Sequence, residues 1–272
     1  MSDDSTPAAA VRLPFGGNGI DALVCDLDGV LYRGDRPIPG AAPAVGRLRG
    51  AGVRVLFCTN NSHFTVEEYA AKLARMDVAA VPEEIVTSAV VTAEVLAARG
   101  FAGQRALVVG GAGIRTALES KGIATSGGAP AVVVVGWDPE FTYDDMRTAA
   151  SAVRSGAAFV ATNADATFPA PDGLWPGAGS ILASIERASG AGAEVMGKPH
   201  APMMDVAARR LEGADRIAVV GDRPDSDLAG GRARGWTTIL VLTGVTARED
   251  VPGVEPRPDY VVESIAELGR EA

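Results

Sequence analysis

Four short stretches of this chain carry the groups that could do chemistry. Asp26-Leu27-Asp28-Gly29-Val30 follows the apolar run Leu23-Val24-Cys25, and Thr59-Asn60-Asn61-Ser62 follows Val55-Leu56-Phe57-Cys58. Gly197-Lys198-Pro199 follows Glu194-Val195-Met196, and Gly221-Asp222 through Asp227 follows Ile217-Ala218-Val219-Val220. The inventory is carboxylates, one hydroxyl, side-chain amides and one ammonium group. It suits phosphoryl transfer. Asp26 and Asp222, with a backbone carbonyl, offer the hard oxygens that Mg²⁺ prefers. Thr59 can donate to a phosphate oxygen, and Lys198 can offset charge on the group being transferred. One carboxylate can serve as nucleophile, and a second, two residues on, as general acid and then general base. Gly29 permits close backbone approach to a phosphate.

These groups need elements to position them. Strand-like runs of four to six residues occur at Ala22–Cys25, Val53–Cys58, Arg105–Val109, Ala131–Val135, Ala157–Ala161, Ile217–Val220, Thr238–Leu242 and Tyr260–Val262. They are rich in Val, Ile and Leu without alternation, the pattern of strands buried on both faces of a parallel sheet. Amphipathic stretches lie between them, among them Thr65–Met76, Tyr143–Arg154 and Pro202–Leu211, and Thr65-Val66-Glu67-Glu68 reads as a capping box opening the first of these. The βαβα order predicts an α/β fold with a doubly wound parallel sheet. In such a sheet ligands bind beyond the carboxyl ends of the strands, so the four polar tips are expected to converge.

The four stretches, in this order and each at a strand end, resemble the ordered motifs of the haloacid dehalogenase (HAD) superfamily. The branch they are most similar to is the NagD-like, p-nitrophenyl phosphatase-type subfamily IIA. The resemblance spans Asp21 to Gly244. It implies a Mg²⁺-dependent phosphatase acting on small phosphate monoesters. Asp26 would be the nucleophile and a metal ligand. Asp28 would be the acid/base and would give its backbone carbonyl to the metal. Asp222 would be the other direct ligand. Asp227 would act on the metal through water or place the lysine. Gly29, Thr59, Asn60, Asn61 and Lys198 would surround the phosphate. Pro224 and Ser226 stand where the family usually has an aliphatic residue and often Thr. Asp225 reads equally as a helix N-cap.

Spacing locates a second domain. Thirty residues separate Asp28 from Thr59, enough for one crossover. Between Thr59 and Lys198 lie 138 residues, far more than a crossover needs, with at least three strand runs of their own. The expected division is a Rossmannoid core at residues 1–87 and 184–272 and an inserted α/β type II cap at 88–183, which in the family selects the substrate. Within the cap, Asn163 and Asp165 are candidates to face the substrate, with strand-end turn chemistry as the plain alternative. Trp175 reads first as packing, and His63 as structural or exposed, with a substrate contact as the alternative.

Composition bounds the rest. The 272 residues carry 25 Lys+Arg against 34 Asp+Glu, a formal charge of −9. That balance argues against non-specific nucleic-acid binding. The first residues lack the basic and apolar regions of a signal peptide, and the longest β-branched run, Val132–Val135, is too short for a bilayer. A cytoplasmic protein with a small phosphorylated metabolite as partner is the expectation, and the family suggests a homodimer through the cap. Cys25 and Cys58 read as small buried apolar residues. A dehalogenase on the same fold would have no use for Asp28 or a full metal site. A nucleotide-binding oxidoreductase would use Gly110-Gly111-Ala112-Gly113, but Thr116 stands where the third glycine of that fingerprint belongs. A non-catalytic binding protein on the same fold would be signalled by loss of Asp26, Asp28 or Asp222, and all three are present.

Overall fold

The apolar runs form parallel strands because each is too short and too β-branched for a helix and is flanked by glycine or polar turn residues. In the computed structural model, which describes residues 19–170 and 173–270, the chain opens with β1 (Ala22–Cys25). A small antiparallel ribbon, β2 (Tyr32–Arg33) and β3 (Arg36–Pro37), follows, then α1 (Ala41–Gly50), β4 (Arg54–Thr59) and α2 (Val66–Ala74). Next come β5 (Ile85–Thr87), α3 (Ser88–Ala98), β6 (Ala106–Val109), α4 (Ala112–Ser120), β7 (Val132–Val135), α5 (Tyr143–Arg154) and β8 (Ala158–Ala161). A hairpin of β9 (Thr167–Ala170) and β10 (Gly173–Pro176) leads to α6 (Ala178–Ser189), β11 (Glu194–Val195) and α7 (Ala201–Arg210). The chain ends with β12 (Ile217–Gly221), α8 (Ala229–Ala233), β13 (Thr237–Val241) and β14 (Tyr260–Val262). No helix among the described residues is long and apolar enough to cross a membrane.

The chain forms two compact units. Among the described residues, one comprises 19–57, 75–78 and 207–270; the other comprises 58–74, 79–170 and 173–206. In the first, β1 sits between β12 and β4, and β13 and β14 continue beyond β12, with every pair parallel. The register aligns Cys25 with both Val220 and Phe57. All four residues of β1 are buried, as a central strand requires. In the second unit the parallel order is β11-β8-β7-β6, with β9, β10 and α6 lying between β8 and β11 in the chain. Val132 to Val135 are fully buried, each contributing about 1.5–3 kcal/mol of apolar burial. Val133 and Val135 share a core with Ala149 and Ala150 of α5 and with Ile181, Leu182 and Ile185 of α6.

The α/β class with parallel sheets is as expected, and strand positions agree to within about one residue. The Thr65–Glu68 capping box is present: Thr65 N donates to Glu68 Oε2 at 2.8 Å and Glu68 N to Thr65 Oγ1 at 3.2 Å. A second box, Thr142 with Asp145, opens α5. Cys25 and Cys58 are buried and unbridged. The ribbon β2–β3, strand β5 and the hairpin β9–β10 were not foreseen. The ribbon and the hairpin pair locally and carry Pro or exposed residues, and β5 is fully buried but only three residues long, too short to stand out as a strand run.

The amino ends of β1 and β12 are tied together by Asp21 and Arg216. Arg216 N donates to Asp21 Oδ2 at 3.0 Å, Nη2 to Oδ1 at 2.6 Å, and Asp21 N to Arg216 O at 2.9 Å. The guanidinium hydrogen bond holds the Asp21 carboxyl below its ordinary value of 3.8. A carboxylate lowered by folding contributes stability above its unfolded pKa and loses it as pH falls through the depressed folded value. Arg216→Gln is therefore expected to melt slightly below the wild type at neutral pH, the gap closing as the solution is acidified. The effect is small because both side chains are partly exposed. Thermal melts of both proteins from pH 7 to pH 3 check it; a gap that is constant or widens in acid refutes the assignment.

Candidate active site

Within the first unit the carboxyl ends of β1 and β12 deliver a cluster of acids. One carboxylate oxygen from each of Asp26, Asp222 and Asp227 lies within 4.8 Å of the others. Asp222 and Asp227 are 2% exposed and Asp26 9%. Three buried like charges this close repel strongly unless a cation and hydrogen-bond donors offset them. The donors are visible. Asp227 Oδ2 accepts from the backbone N–H of Asp222 at 3.2 Å and of Arg223 at 3.0 Å. Asp222 Oδ2 accepts from Val245 N at 2.6 Å, and the Asp222 carbonyl accepts from Thr246 Oγ1 at 2.6 Å.

Glycines make this arrangement possible. Gly29 has φ +86°, and a Cβ there would come within 2.5 Å of Asp222 Oδ2. A Cβ on Gly244 would overlap the Asp222 carboxylate, and one on Gly221 would overlap Asp227. The space that a side chain at Gly29 would take is filled by the Asp222 carboxylate. After Asp26 the chain turns tightly. The Leu27 carbonyl accepts from Leu31 N at 2.9 Å and Gly29 N donates to Tyr32 O at 2.7 Å. Asp28, half-buried, bridges to Tyr32 and lies outside the three-carboxylate cluster. Thr243 Oγ1 donates to the Gly29 carbonyl at 2.6 Å. Arg33, from the β2–β3 ribbon, donates to the carbonyls of Thr243 and Gly244. Residues 243–246 thus form a strap from the Asp26–Gly29 turn to Asp222. Sequence reasoning missed this strap, because nothing in Thr243-Gly244-Val245-Thr246 marks it as a partner of residues 210 positions away. Asp225 is exposed inside a π-helical turn over Pro224–Leu228 whose N-cap is Arg223, so the N-cap reading of Asp225 does not hold.

The second unit holds the other two motifs. Thr59 is 5% exposed, and its Oγ1 accepts from Asn61 N at 3.1 Å. Accepting that bond leaves the hydroxyl hydrogen to be donated elsewhere. Asn61 Oδ1 accepts from His63 N at 2.9 Å, an Asx turn that bends the chain into α2. Lys198 is 4% exposed, with Nζ donating to the Cys58 carbonyl at 3.1 Å. Asn60 and Asn163 are buried, and their side chains bond protein partners. Asn60 binds Lys198 and Asp165; Asn163 donates to the Asn60 carbonyl at 2.7 Å and accepts from Asp165 N at 3.1 Å.

The glycines of Gly110-Gly111-Ala112-Gly113 face protein too. A Cβ on Gly111 would meet the His63 carbonyl at 2.8 Å, one on Gly113 the Ser62 carbonyl at 2.6 Å, and Gly113 N donates to His63 O at 2.8 Å. The space a dinucleotide pyrophosphate would need is occupied by residues 62–64, which removes the oxidoreductase reading. His63 is half-buried, edge-on to Trp137 at 5.2 Å, a packing role. Trp175, expected to pack, is instead 43% exposed.

The strap yields a test. Gly244→Ala places a methyl group where the Asp222 carboxylate lies, so that carboxylate must move. Affinity for Mg²⁺ or Mn²⁺, followed by calorimetry, is expected to fall about 10–100-fold, the usual cost of disturbing a residue that orients a ligand. Unchanged metal affinity in the folded variant would show that the strap does not position Asp222.

Comparison with known proteins bears on this geometry. A family model described as haloacid dehalogenase-like hydrolase matches residues 23–124, and a second, HAD-hydrolase-like, matches residues 195–268. An acid sugar phosphatase of Staphylococcus aureus is 37% identical over 254 residues, 91% of this chain and 97% of its own length. The crystal structure of a 4-nitrophenylphosphatase from Thermotoga maritima superposes with a TM-score of 0.87 at 33% identity, covering 93% of this chain and 97% of that one. That of a glycerol phosphate phosphatase from Mycobacterium tuberculosis in complex with magnesium gives 0.85 at 36% identity, covering 92% and 76%.

Proposed function

Because the chain belongs to the haloacid dehalogenase-like hydrolases and is an enzyme of the phosphoric monoester hydrolase class, we propose that it hydrolyses small-molecule phosphate monoesters through an aspartyl-phosphate on Asp26, with Mg²⁺ as cofactor. The observation that carries this reading is the meeting of the Asp26, Asp222 and Asp227 carboxylates within 4.8 Å at the ends of β1 and β12. The donor set is all hard oxygen, with no sulfur or imidazole among the three, which fits Mg²⁺. Asp26, Asp222 and the Asp28 carbonyl would hold the ion, and Asp227 would support them. When bound, the ion supplies positive charge that screens the carboxylates and offsets charge developing on the phosphoryl oxygens.

The residues then divide the work. An Asp26 carboxylate oxygen attacks phosphorus, the bond from phosphorus to the ester oxygen breaks, and Asp28 gives its proton to the leaving alkoxide. In the second half Asp28 takes a proton from the water that attacks the acyl-phosphate, releasing inorganic phosphate and restoring Asp26. Lys198 offsets charge on the phosphoryl group, and the Thr59 hydroxyl donates to one of its oxygens. Residues 88–183, read as the inserted cap that selects the leaving group, lie wholly inside the second compact unit. The relatives act on sugar phosphates, glycerol phosphate and p-nitrophenyl phosphate by name, which supports a small phosphorylated metabolite as substrate here.

Hydrolysis of p-nitrophenyl phosphate by the wild type and by Asp26→Asn, each with Mg²⁺ and with a chelator, tests the reading. Wild-type turnover should require metal. The variant keeps the side-chain shape but should lose on the order of 10³-fold or more in kcat, as enzymes do when a covalent nucleophile is removed. An active Asp26→Asn would show that the nucleophile lies elsewhere.

A further inference from the structure

Lys198 sits at the start of a loop, with a four-carbon side chain whose Nζ must be held while buried at 4% exposure. What fixes its backbone is one side chain, that of Asn60. Asn60 Oδ1 accepts from Lys198 N at 2.7 Å, and Asn60 Nδ2 donates to Lys198 O at 3.0 Å. Donor and acceptor of one amide thus grip both polar groups of the lysine's main chain. The second hydrogen of Nδ2 points to the Asp165 carboxylate, at 3.1 and 3.2 Å from its two oxygens. The Asn60 carbonyl is itself pinned, accepting from Ser88 Oγ at 2.5 Å and from Asn163 Nδ2 at 2.7 Å.

The neighbours are built to allow this. A Cβ on Gly197 would stand 2.5 Å from Asn60 Oδ1 and 2.5 Å from the Thr162 carbonyl, so only glycine lets the lysine loop come this close. Gly179 N donates to the Asp165 carbonyl at 2.9 Å, which ties the 163–165 turn to the start of α6. Both hydrogens of the Asn60 amide are therefore engaged by protein, at 7% exposure, leaving no side-chain donor for a phosphate oxygen.

We propose that Asn60 is a positioning residue that sets Lys198, and that Asp165, held through the Asn163 turn, orients Asn60 in turn. Asn60–Asp165 is then a bracket joining the Thr59 strand tip, the Gly-Lys-Pro loop and the 162–165 turn, rather than a pair of phosphate or substrate contacts. A residue so placed acts on the reaction only through the lysine. The inference rests on the reading of Lys198 as the group that offsets phosphoryl charge.

A double-mutant cycle on p-nitrophenyl phosphate decides it, with wild type, Asn60→Ala, Lys198→Ala and the double variant each checked for folding by circular dichroism. Asn60→Ala is expected to lower kcat about 10²-fold, the cost of misplacing a group by about 1 Å, with KM nearly unchanged, because an interaction made in the transition state is what is lost. In the Lys198→Ala background the same change should cost almost nothing. Losses that multiply would show Asn60 acting on the substrate itself and would overturn the bracket alone. A Lys198→Ala enzyme as active as wild type would instead sink the reading of the lysine, and the bracket with it. If Asn60→Ala fails to fold, Asp165→Ala, at a half-buried position, runs the same cycle. Its loss should be equal for p-nitrophenyl, glycerol and sugar phosphates. A loss that depends on the leaving group would make Asp165 a substrate contact and overturn its place in the bracket.

Discussion

The constraint on which this structure turns is electrostatic. Asp26, Asp222 and Asp227 bring three buried carboxylates within 4.8 Å, and two like charges 4 Å apart repel by about 4 kcal/mol at the effective dielectric of a protein near its surface. No fold gains from that arrangement by itself. It persists with backbone N–H groups aimed at the oxygens, in a cluster whose spacing could hold a cation. The Asp222 and Arg223 amides serve Asp227, and the Val245 amide serves Asp222. Gly29, Gly221 and Gly244 are the places where a side chain would drive these carboxylates apart. The glycines therefore read as electrostatic parts of the site as much as conformational ones.

A parallel sheet is a natural carrier for such a cluster. Its strands end on one side, so adjacent β1 and β12 present Asp26 and Asp222 from aligned neighbours, Cys25 and Val220 being register partners. The buried runs that form these strands make the tips rigid, because each strand is held on both edges and both faces. The local chain then only has to turn away quickly. It does so at Leu27–Tyr32 and in the π-helical turn at Pro224–Leu228, whose single extra residue per turn lets Asp227 fold back beneath Asp222.

Much of this was legible in the sequence, and the reasons divide cleanly. Ala22–Cys25 and Tyr143–Arg154 could be read to the residue, because apolar runs and amphipathic periodicity are local signals. The acids could be read because four polar stretches each follow a strand-like run. What could not be read is who holds whom across long separations. Arg33 reaching Thr243 and Gly244, and Asn60 gripping Lys198 across 138 positions, leave no trace in composition or period. The same limit explains Asn163. Its type fitted a substrate contact and a turn equally well, and only the observed bonds to Asn60 and Asp165 show the turn. Gly111 and Gly113 misled for the related reason that a glycine records a close approach without recording what approaches. The β9–β10 hairpin was invisible because Pro169 and the exposed Leu174 and Trp175 break the buried pattern.

The two clusters solve opposite problems with the same device. Around Asp222 an excess of negative charge is held by donors from the main chain. Around Lys198 a buried ammonium is held by acceptors, the Cys58 carbonyl for its tip and the Asn60 amide for its root. In both, neutral dipoles help to orient the ionised group: backbone amides at Asp222 and Asp227, a carbonyl and an asparagine amide at Lys198. Such dipoles fix where a charge sits without adding a counter-charge of their own, which is the arrangement that electrostatic stabilisation of a developing charge calls for.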